Sequence, residues 1–492
     1  MKAKNRMTTC ALCLLAALAL YAPARAQWTE PVRLTEGISL TNPRAVTVSD
    51  TIHIVTNGSV DIYYMRSNDN GLTWTEPAIP VADTFDGSQM PDIIYSNGYI
   101  HIVCVLYFLY QGERPFHFSS SNGGRTWSAA YQIHDEGLKY PRLACSGDTL
   151  FVSFIGEEDL LVSSSFNNGE TWNEPFRADY RHGIFNSPCI TYSEGRINLV
   201  YQLGVHEDTT GLEIYHRYSD DLGATWSDRY CLSIPEHWQE GKIGQVPSAY
   251  ADSSGNLIAL WMDYKYGSAC GISGDILGRV SRDNGETWLP ETRLTYTQTG
   301  RKSSCLILND RLYAVWDDYF TFYCQKTKVT YSESTDWGIT WSVPEVISGP
   351  AERSEHRPVL IYNISGNDTI FHVVMAVYDP PNSGLFYFRN QEFTNINEQN
   401  NTSLPQDILL GAYPNPFNSS TVISYANLGG GEIEIFNING QLIRTFILEN
   451  RKEGKVTWDA TDATCETVCS GIYFARVRTP QGLQTLKLVY LK

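Results

Sequence analysis

The chain has 492 residues, and 37 basic against 54 acidic side chains give a formal charge of −17. That balance argues against a nucleic-acid or anionic-membrane partner, since both need clustered Lys and Arg. With 42% hydrophobic residues, 12 Trp, 30 Tyr and 19 Phe, the chain can build large cores, so wholesale disorder is excluded, and its Tyr, Trp, Gly and Asn content points to strands.

Lys2, Lys4 and Arg6 precede an apolar run from Cys10 to Ala22, and Ala24-Arg25-Ala26 supplies a small-x-small cleavage pattern. Residues 1–26 are therefore expected to be a signal peptide, and their removal takes the formal charge from −17 to −21. No later apolar run is long enough to suggest a transmembrane segment. Nine cysteines remain: Cys104, Cys145, Cys189, Cys231, Cys270, Cys305, Cys324, Cys465 and Cys469. Most sit in apolar, strand-like runs and read as buried small hydrophobes rather than a disulfide framework or a metal site. Cys465 and Cys469 are close enough in a turn to bond.

Six octapeptides then follow the template Ser-x-Asp-x-Gly-x-Thr-Trp, ending at Trp74, Trp127, Trp172, Trp226, Trp288 and Trp341, at spacings of 53, 45, 54, 62 and 53 residues. A recurring period of this length marks a repeat architecture. The third position is Asp69, Asn122, Asn167, Asp221, Asp283 or Asp336. Its side-chain oxygen can accept hydrogen bonds from the backbone that follows, and the glycine two residues on takes a positive φ, so these residues read as structural. An alternating strand precedes each box, two apolar strands precede that, and a fourth strand follows. Four short antiparallel strands per repeat make a propeller blade.

Innermost strands are expected near Pro43, Pro91, Pro141, Pro188, Pro247, Ser303 and Pro358. Residues 27–390 thus divide into seven blades of about 52 residues, with six longer ones as the alternative. The seventh repeat has no box and no fourth strand, and Gln27–Arg33 is expected to supply that strand and close the ring.

The boxes resemble the Asp-box, or bacterial neuraminidase (BNR) repeat, of the sialidase superfamily. The resemblance implies a β-propeller and leaves activity open, because the box also occurs in other glycosidases, lyases and non-enzymatic receptors. Residues 391–406 are polar and Asn-rich and read as a linker. In 407–492, Tyr413-Pro-Asn-Pro-Phe-Asn418, alternating strands and an Asn439-Gly440 turn describe a small β-sandwich. This part resembles the C-terminal sorting domain of the type IX secretion system. The resemblance implies export through the periplasm to the outer-membrane surface or the medium, with that machinery as a partner. An accessory sugar-binding sandwich is the alternative.

In a propeller, the starts of the inner strands and the ends of the second strands share one face, opposite the boxes. The strand starts place Arg44, Asp92, Arg142, Asn186, Lys242, Lys302, His356 and Arg357 there. The second-strand ends add Glu157, Glu158, Trp261, Asp263, Tyr264, Trp316, Asp317, Asp318, Tyr319, Tyr378 and Asp379. Aromatic rings beside carboxylates and guanidinium groups suit a carbohydrate. The expected ligand-binding set is Arg44, Arg142, Arg357, Trp261, Tyr264, Trp316 and Tyr319, and the candidate catalytic acids are Asp92, Asp263, Asp318 and Glu157.

The sialidase resemblance implies three arginines on a sugar carboxylate, a Tyr–Glu pair and an Asp acid. Arg44, Arg142 and Arg357 can form an anion clamp, but no Tyr–Glu pair is assignable, and the connection Asn57–Asp61 is short where the family carries its Asp. Three readings follow: a sialidase-like hydrolase with two carboxylates on the top face, a non-catalytic glycan- or protein-binding propeller, or a polysaccharide lyase with His182, His356, Tyr264 or Tyr319 as base. No phosphate loop or metal-ligand spacing appears, so no cofactor is implied.

Overall fold

The computed structural model describes residues 28–392 and 409–491, apart from 37, 39, 81–86, 109–111, 136, 181–185, 205–211, 234–243, 272, 320–325, 349–354, 367, 378–382, 416, 427–430, 438–441, 449–452, 465 and 480–481. The expected signal peptide and all but the first two residues of the expected linker lie outside the described residues. The chain divides into two compact units, one ending at Ile396 and one beginning at Asn397. Every regular element among the described residues is a strand.

In the first unit the strands form successive antiparallel sheets in which chain order is spatial order, such as Lys139–Ser146, Thr149–Ile155, Asp159–Ser165 and Phe176–Tyr180. The first strands of successive sheets pack against one another, and Thr41–Val48 packs in turn against Glu355–Ser365 of the last sheet. This arrangement is that of a propeller. The last sheet takes its outermost strand from the opposite end of the chain: Val32 pairs with Tyr387 and Arg33 with Phe386, with a further bridge from Trp28 to Asn390. An edge that the repeat leaves open is thereby covered.

The second strands are the most enclosed elements. Every residue of Leu257–Asp263 is buried, on both faces, because neighbouring sheets cover both sides. The boxes then latch one sheet to the next. In the first, Ser67 Oγ donates to Asp69 Oδ1, and Thr73 donates its N–H to the same oxygen at 2.8 Å and its hydroxyl to Oδ2 at 2.6 Å. Trp74 Nε1 donates back to the carbonyl of Gly71. The pattern recurs at Asp221, Asp283 and Asp336, whose carboxyls, like that of Asp69, these bonds help to hold below the usual range. Asn122 and Asn167 accept the same backbone bonds.

Beneath four of the six latches sits an aromatic ring or imidazole of the preceding sheet, and beneath Gly338 sits Val280. Gly124, at φ 75°, leaves room for the Tyr64 hydroxyl, which a Cβ would approach to 1.8 Å. Gly169 lies over His117, Gly285 over His216 and Gly71 over Tyr387 in the same way. At these four boxes the glycine is thus required twice, for its backbone angle and for inter-sheet contact.

The second unit holds a three-stranded and a four-stranded antiparallel sheet around one core that includes Phe417, Ile423, Ile433, Trp458, Ala475 and Leu488. Gly431–Asn437 pairs with Leu442–Leu448 as the expected hairpin, although its turn lies outside the described residues. Cys469, close enough in sequence to bond Cys465, is a free thiol, and Cys465 lies outside the described residues. In the first unit Cys270 is disulfide-bonded.

Candidate functional site

Each inner strand of the first unit starts with a bulge. The pairing register shifts between Thr41 and Arg44, between Gln89 and Asp92, and at equivalent points of the later sheets. Asn42, Met90, Tyr140, Val246 and Arg357 adopt φ between 51° and 55° there, and a proline follows each one. Left-handed backbone is costly for residues other than glycine and rare for a β-branched residue such as Val246. It persists where surrounding structure over-determines it. Here the bulges bring together side chains that flank several of these prolines, among them Arg44, Asp92, Tyr140, Arg142 and Arg357.

Those side chains meet in a cavity of about 380 Å³ lined by Arg44, Asp92, Tyr140, Arg142, Lys302 and Arg357, with Cys189 and Cys305 among its walls. Four cations therefore face one carboxylate. Asp92 is nearly buried and committed: Arg44 Nε lies 3.6 Å from Oδ1, and the N–H of Leu143 on the next sheet donates to Oδ2 at 2.9 Å. Arg142 donates to the carbonyl of Pro141 at 2.7 Å. Burial first, and then the charge of Arg44, pushes Arg142 down to about 10. Arg357 is lowered by its enclosure and by Arg44, even though its side chain is open to channel solvent. Burial and then Arg357 bring Lys302 down to about 8. Each cation raises the cost of the others, so a bound anion would relieve the site as a whole. A second cavity, of about 350 Å³, shares Lys302 and Arg357 and adds Arg301.

Of the expected site residues, the structure thus assembles Arg44, Asp92, Arg142 and Arg357. Trp261 and Trp316 are corrections: both are wholly enclosed in the core and offer no ring face to a ligand. Asp263 is buried and accepts hydrogen bonds from Trp261 Nε1 at 3.1 Å and from the N–H of Lys265 at 2.7 Å, which is a structural role. Burial pushes the Asp318 carboxyl up, and it does not line the cavity. Glu157 is exposed and also outside the cavity. Tyr264 and Tyr319 lie by Arg301, which donates to the Tyr319 hydroxyl at 3.1 Å and stands 3.9 Å from Asp317. His182, Lys242, Tyr378 and Asp379, and the side chains of Asn186 and His356, lie outside the described residues.

Sequence reasoning missed Tyr140 and Arg301. Tyr140 shares with Arg357 the position before the bulge proline, a signal that aligning the repeats at that proline exposes. Outside both cavities, burial pushes the Glu213 carboxyl up to about 7, with Ser233 and Lys265 opposing and Asp263 and Glu291 adding to the effect.

Residues 153–368 match the BNR repeat-like domain, and residues 411–491 match the secretion system C-terminal sorting domain. The chain carries a sialidase-like BNR-repeat domain and a secretion sorting domain. The sorting domain is of the type IX kind and marks the chain for export to the cell surface or the medium. None of the curated proteins matches the chain. Among solved structures, an ulvan lyase with a bound saccharide is 14% identical, with a TM-score of 0.50, and the match covers 73% of this chain and 95% of that one. A second polysaccharide lyase is 9% identical at a TM-score of 0.50, over 74% of this chain and 99% of the other. A protein of unknown function from Dyadobacter fermentans is 16% identical at a TM-score of 0.46, over 75% of this chain and all of its own length. The two lyase likenesses bear on the fold and not on this chain's chemistry.

Proposed function

We propose that the chain is an exported seven-bladed propeller, spanning 27–390 behind a signal peptide, that captures an acidic extracellular glycan at its cationic mouth. In this reading residues 391–406 link it to a sorting sandwich at 407–492 that engages the type IX machinery. The observation that carries the reading is the cavity itself: Arg44, Arg142, Lys302 and Arg357 line it with Asp92 as the one lining carboxylate among the described residues, while Asp317 acts on Lys302 and Arg357 from outside the lining, in a chain whose formal charge is −17. A concave cluster of one sign focuses its field on an oppositely charged ligand. Guanidinium groups fit the planar carboxylate or the sulfate of an acidic sugar.

Hydrolysis by a carboxylate pair finds little support, because Asp92 is the one carboxylate among the described residues lining the cavity, and it is already engaged by Arg44 and Leu143. Elimination is favoured instead by Lys302. With its ammonium brought down to about 8, about one molecule in ten carries the free amine at neutral pH. A uronate carboxylate held by Arg142 and Arg357 acidifies the proton on the adjacent carbon. The Lys302 amine takes that proton, a carbon–carbon double bond forms, and the bond to the glycosidic oxygen breaks. The departing oxygen then takes a proton from the Tyr140 hydroxyl or from water.

The test is mass spectrometry of the products when the purified protein meets polygalacturonate, chondroitin sulfate and polysialic acid. Unsaturated fragments are expected. Fragments carrying added water would overturn elimination in favour of hydrolysis. Bound but intact polymer would leave a recognition propeller, and absence of binding across the panel would overturn the proposal.

A further inference from the structure

A second feature lies on the mouth face of the Gly244–Ala251 sheet. Tyr296 is 74% exposed, more than any other described aromatic side chain, and Tyr266 is 41% exposed. The guanidinium carbon of Arg293 stands 4.4 Å from the centre of the Tyr296 ring and 3.9 Å from that of Tyr266. Arg293 is itself anchored, donating to the fully buried Asp275 at 2.6 Å and to the carbonyl of Thr295 at 2.9 Å. One buried carboxylate thus fixes one guanidinium, which steadies two rings; Tyr296 stays largely open to water, and Tyr266, which also has the Lys265 ammonium 5.7 Å from its ring centre, stays partly open.

The loops carrying the rings are tied together. Ala269 donates its N–H to the carbonyl of Gln298 at 3.1 Å, as does the Ser273 hydroxyl at 2.8 Å, and Cys270 in the same loop is disulfide-bonded. Rings held in advance lose little freedom when a ligand stacks on them.

We infer that Tyr266 and Tyr296 form a stacking platform for sugar rings of the same acidic polymer whose charged unit occupies the mouth, so that the protein grips an extended chain. The inference rests on the glycan-binding reading above. Both loops open at the end of the sheet where the next inner strand begins. Tyr296 lies six residues before Lys302, a separation of no more than about 20 Å along extended backbone. Between them, Arg301 stands over Tyr319 and offers a charged, aromatic step toward the cavity. The weakly polar faces of sugar rings pack on tyrosine, while the ring carboxylates stay near Arg293 and Arg301.

The test is calorimetric titration with size-graded oligogalacturonides, from the disaccharide to about ten units, against wild type, Tyr296→Ala, Tyr296→Trp and Arg142→Met. Wild-type affinity should rise with length. Tyr296→Ala should lower affinity for the longest oligomers about fivefold to tenfold and leave the disaccharide unchanged, and Tyr296→Trp should retain the gain. Arg142→Met should weaken binding at every length. A wild-type affinity that does not grow with length, or Tyr296→Ala binding that matches wild type at all lengths, would overturn the platform while Arg142→Met still upheld the mouth. Loss at all lengths in Tyr296→Ala would assign Tyr296 to the mouth's architecture and overturn the platform. If wild type bound none of the oligomers, both readings would fall for uronate polymers.

Discussion

Five histidines are buried at or below 2% exposure in the sheets: His53, His101, His117, His216 and His372. Burial is the first cause that lowers each of them, to about 4 for His53 and His101 and about 3 for the others. The neighbouring Arg66, His101, Arg196 and Arg389 lower His53, His117, His216 and His372 further. Their rings are committed to uncharged hydrogen bonds: His53 with the Tyr64 hydroxyl at 2.7 Å, His101 with His117 at 3.1 Å, and His372 with Tyr387 and Asn363. A folded-state value below the unfolded one means that the stabilisation is complete above pH 6.5 and is lost as pH falls toward 3–4. At pH 5 an unfolded histidine gains about 2 kcal/mol by protonation that the folded one does not, so five of them remove about 10 kcal/mol. That approaches the whole stability of a typical domain. Thermal melts of the full chain from pH 8 to pH 4.5 should show a steep fall below pH 6.5. His372→Gln, though less stable overall, should flatten the slope by about one proton, or about 1.4 kcal/mol per pH unit. A melting temperature that held level from pH 8 to pH 5, or an unchanged slope in the variant, would refute the reasoning.

Other outcomes follow from the same geometry. Gly124→Ala forces a Cβ into left-handed backbone and against Tyr64, breaking its bond to His53, and should cost about 2–4 kcal/mol by urea titration. Gly98→Ala, at φ 85° with open space around the added atom, should cost only about 1–2 kcal/mol. Lys302→Arg keeps the positive charge but cannot shed its proton, so it should retain glycan binding and form no unsaturated product; wild-type product formation should climb toward a plateau above pH 8. Reducing the Cys270 disulfide should speed amide exchange in residues 264–271 without lowering protection in the buried second strands, as read by mass spectrometry.

The repeat, its hairpin chemistry and the borrowed outer strand at Val32–Arg33 were legible because each is a local rule: an acceptor, a glycine and a tryptophan at fixed offsets, and a missing edge that needs a partner. The arginine cluster was legible in part, since Arg44, Arg142 and Arg357 flank prolines at equivalent repeat positions. Trp261 and Trp316 misled because strands covered on both faces show no polar–apolar alternation from which to read exposure. Asp263 looked available although its partners, Trp261 and Lys265, stand only two residues away on either side, because sequence does not show that the strand end carrying it is buried, and burial likewise encloses Asp318. Tyr140 was hidden by the same backbone strain that places it, since a left-handed residue before proline runs against local preference.

The central claim is that the mouth recognises negative charge on a glycan. Its most direct measurement is calorimetric binding of polygalacturonate and of the same polymer with its carboxylates methyl-esterified, to wild type and to Arg142→Met. Binding of the acid form alone is expected, weakened by the substitution and by added salt. Equal binding of both polymers, or acid-form binding untouched by Arg142→Met, would contradict it.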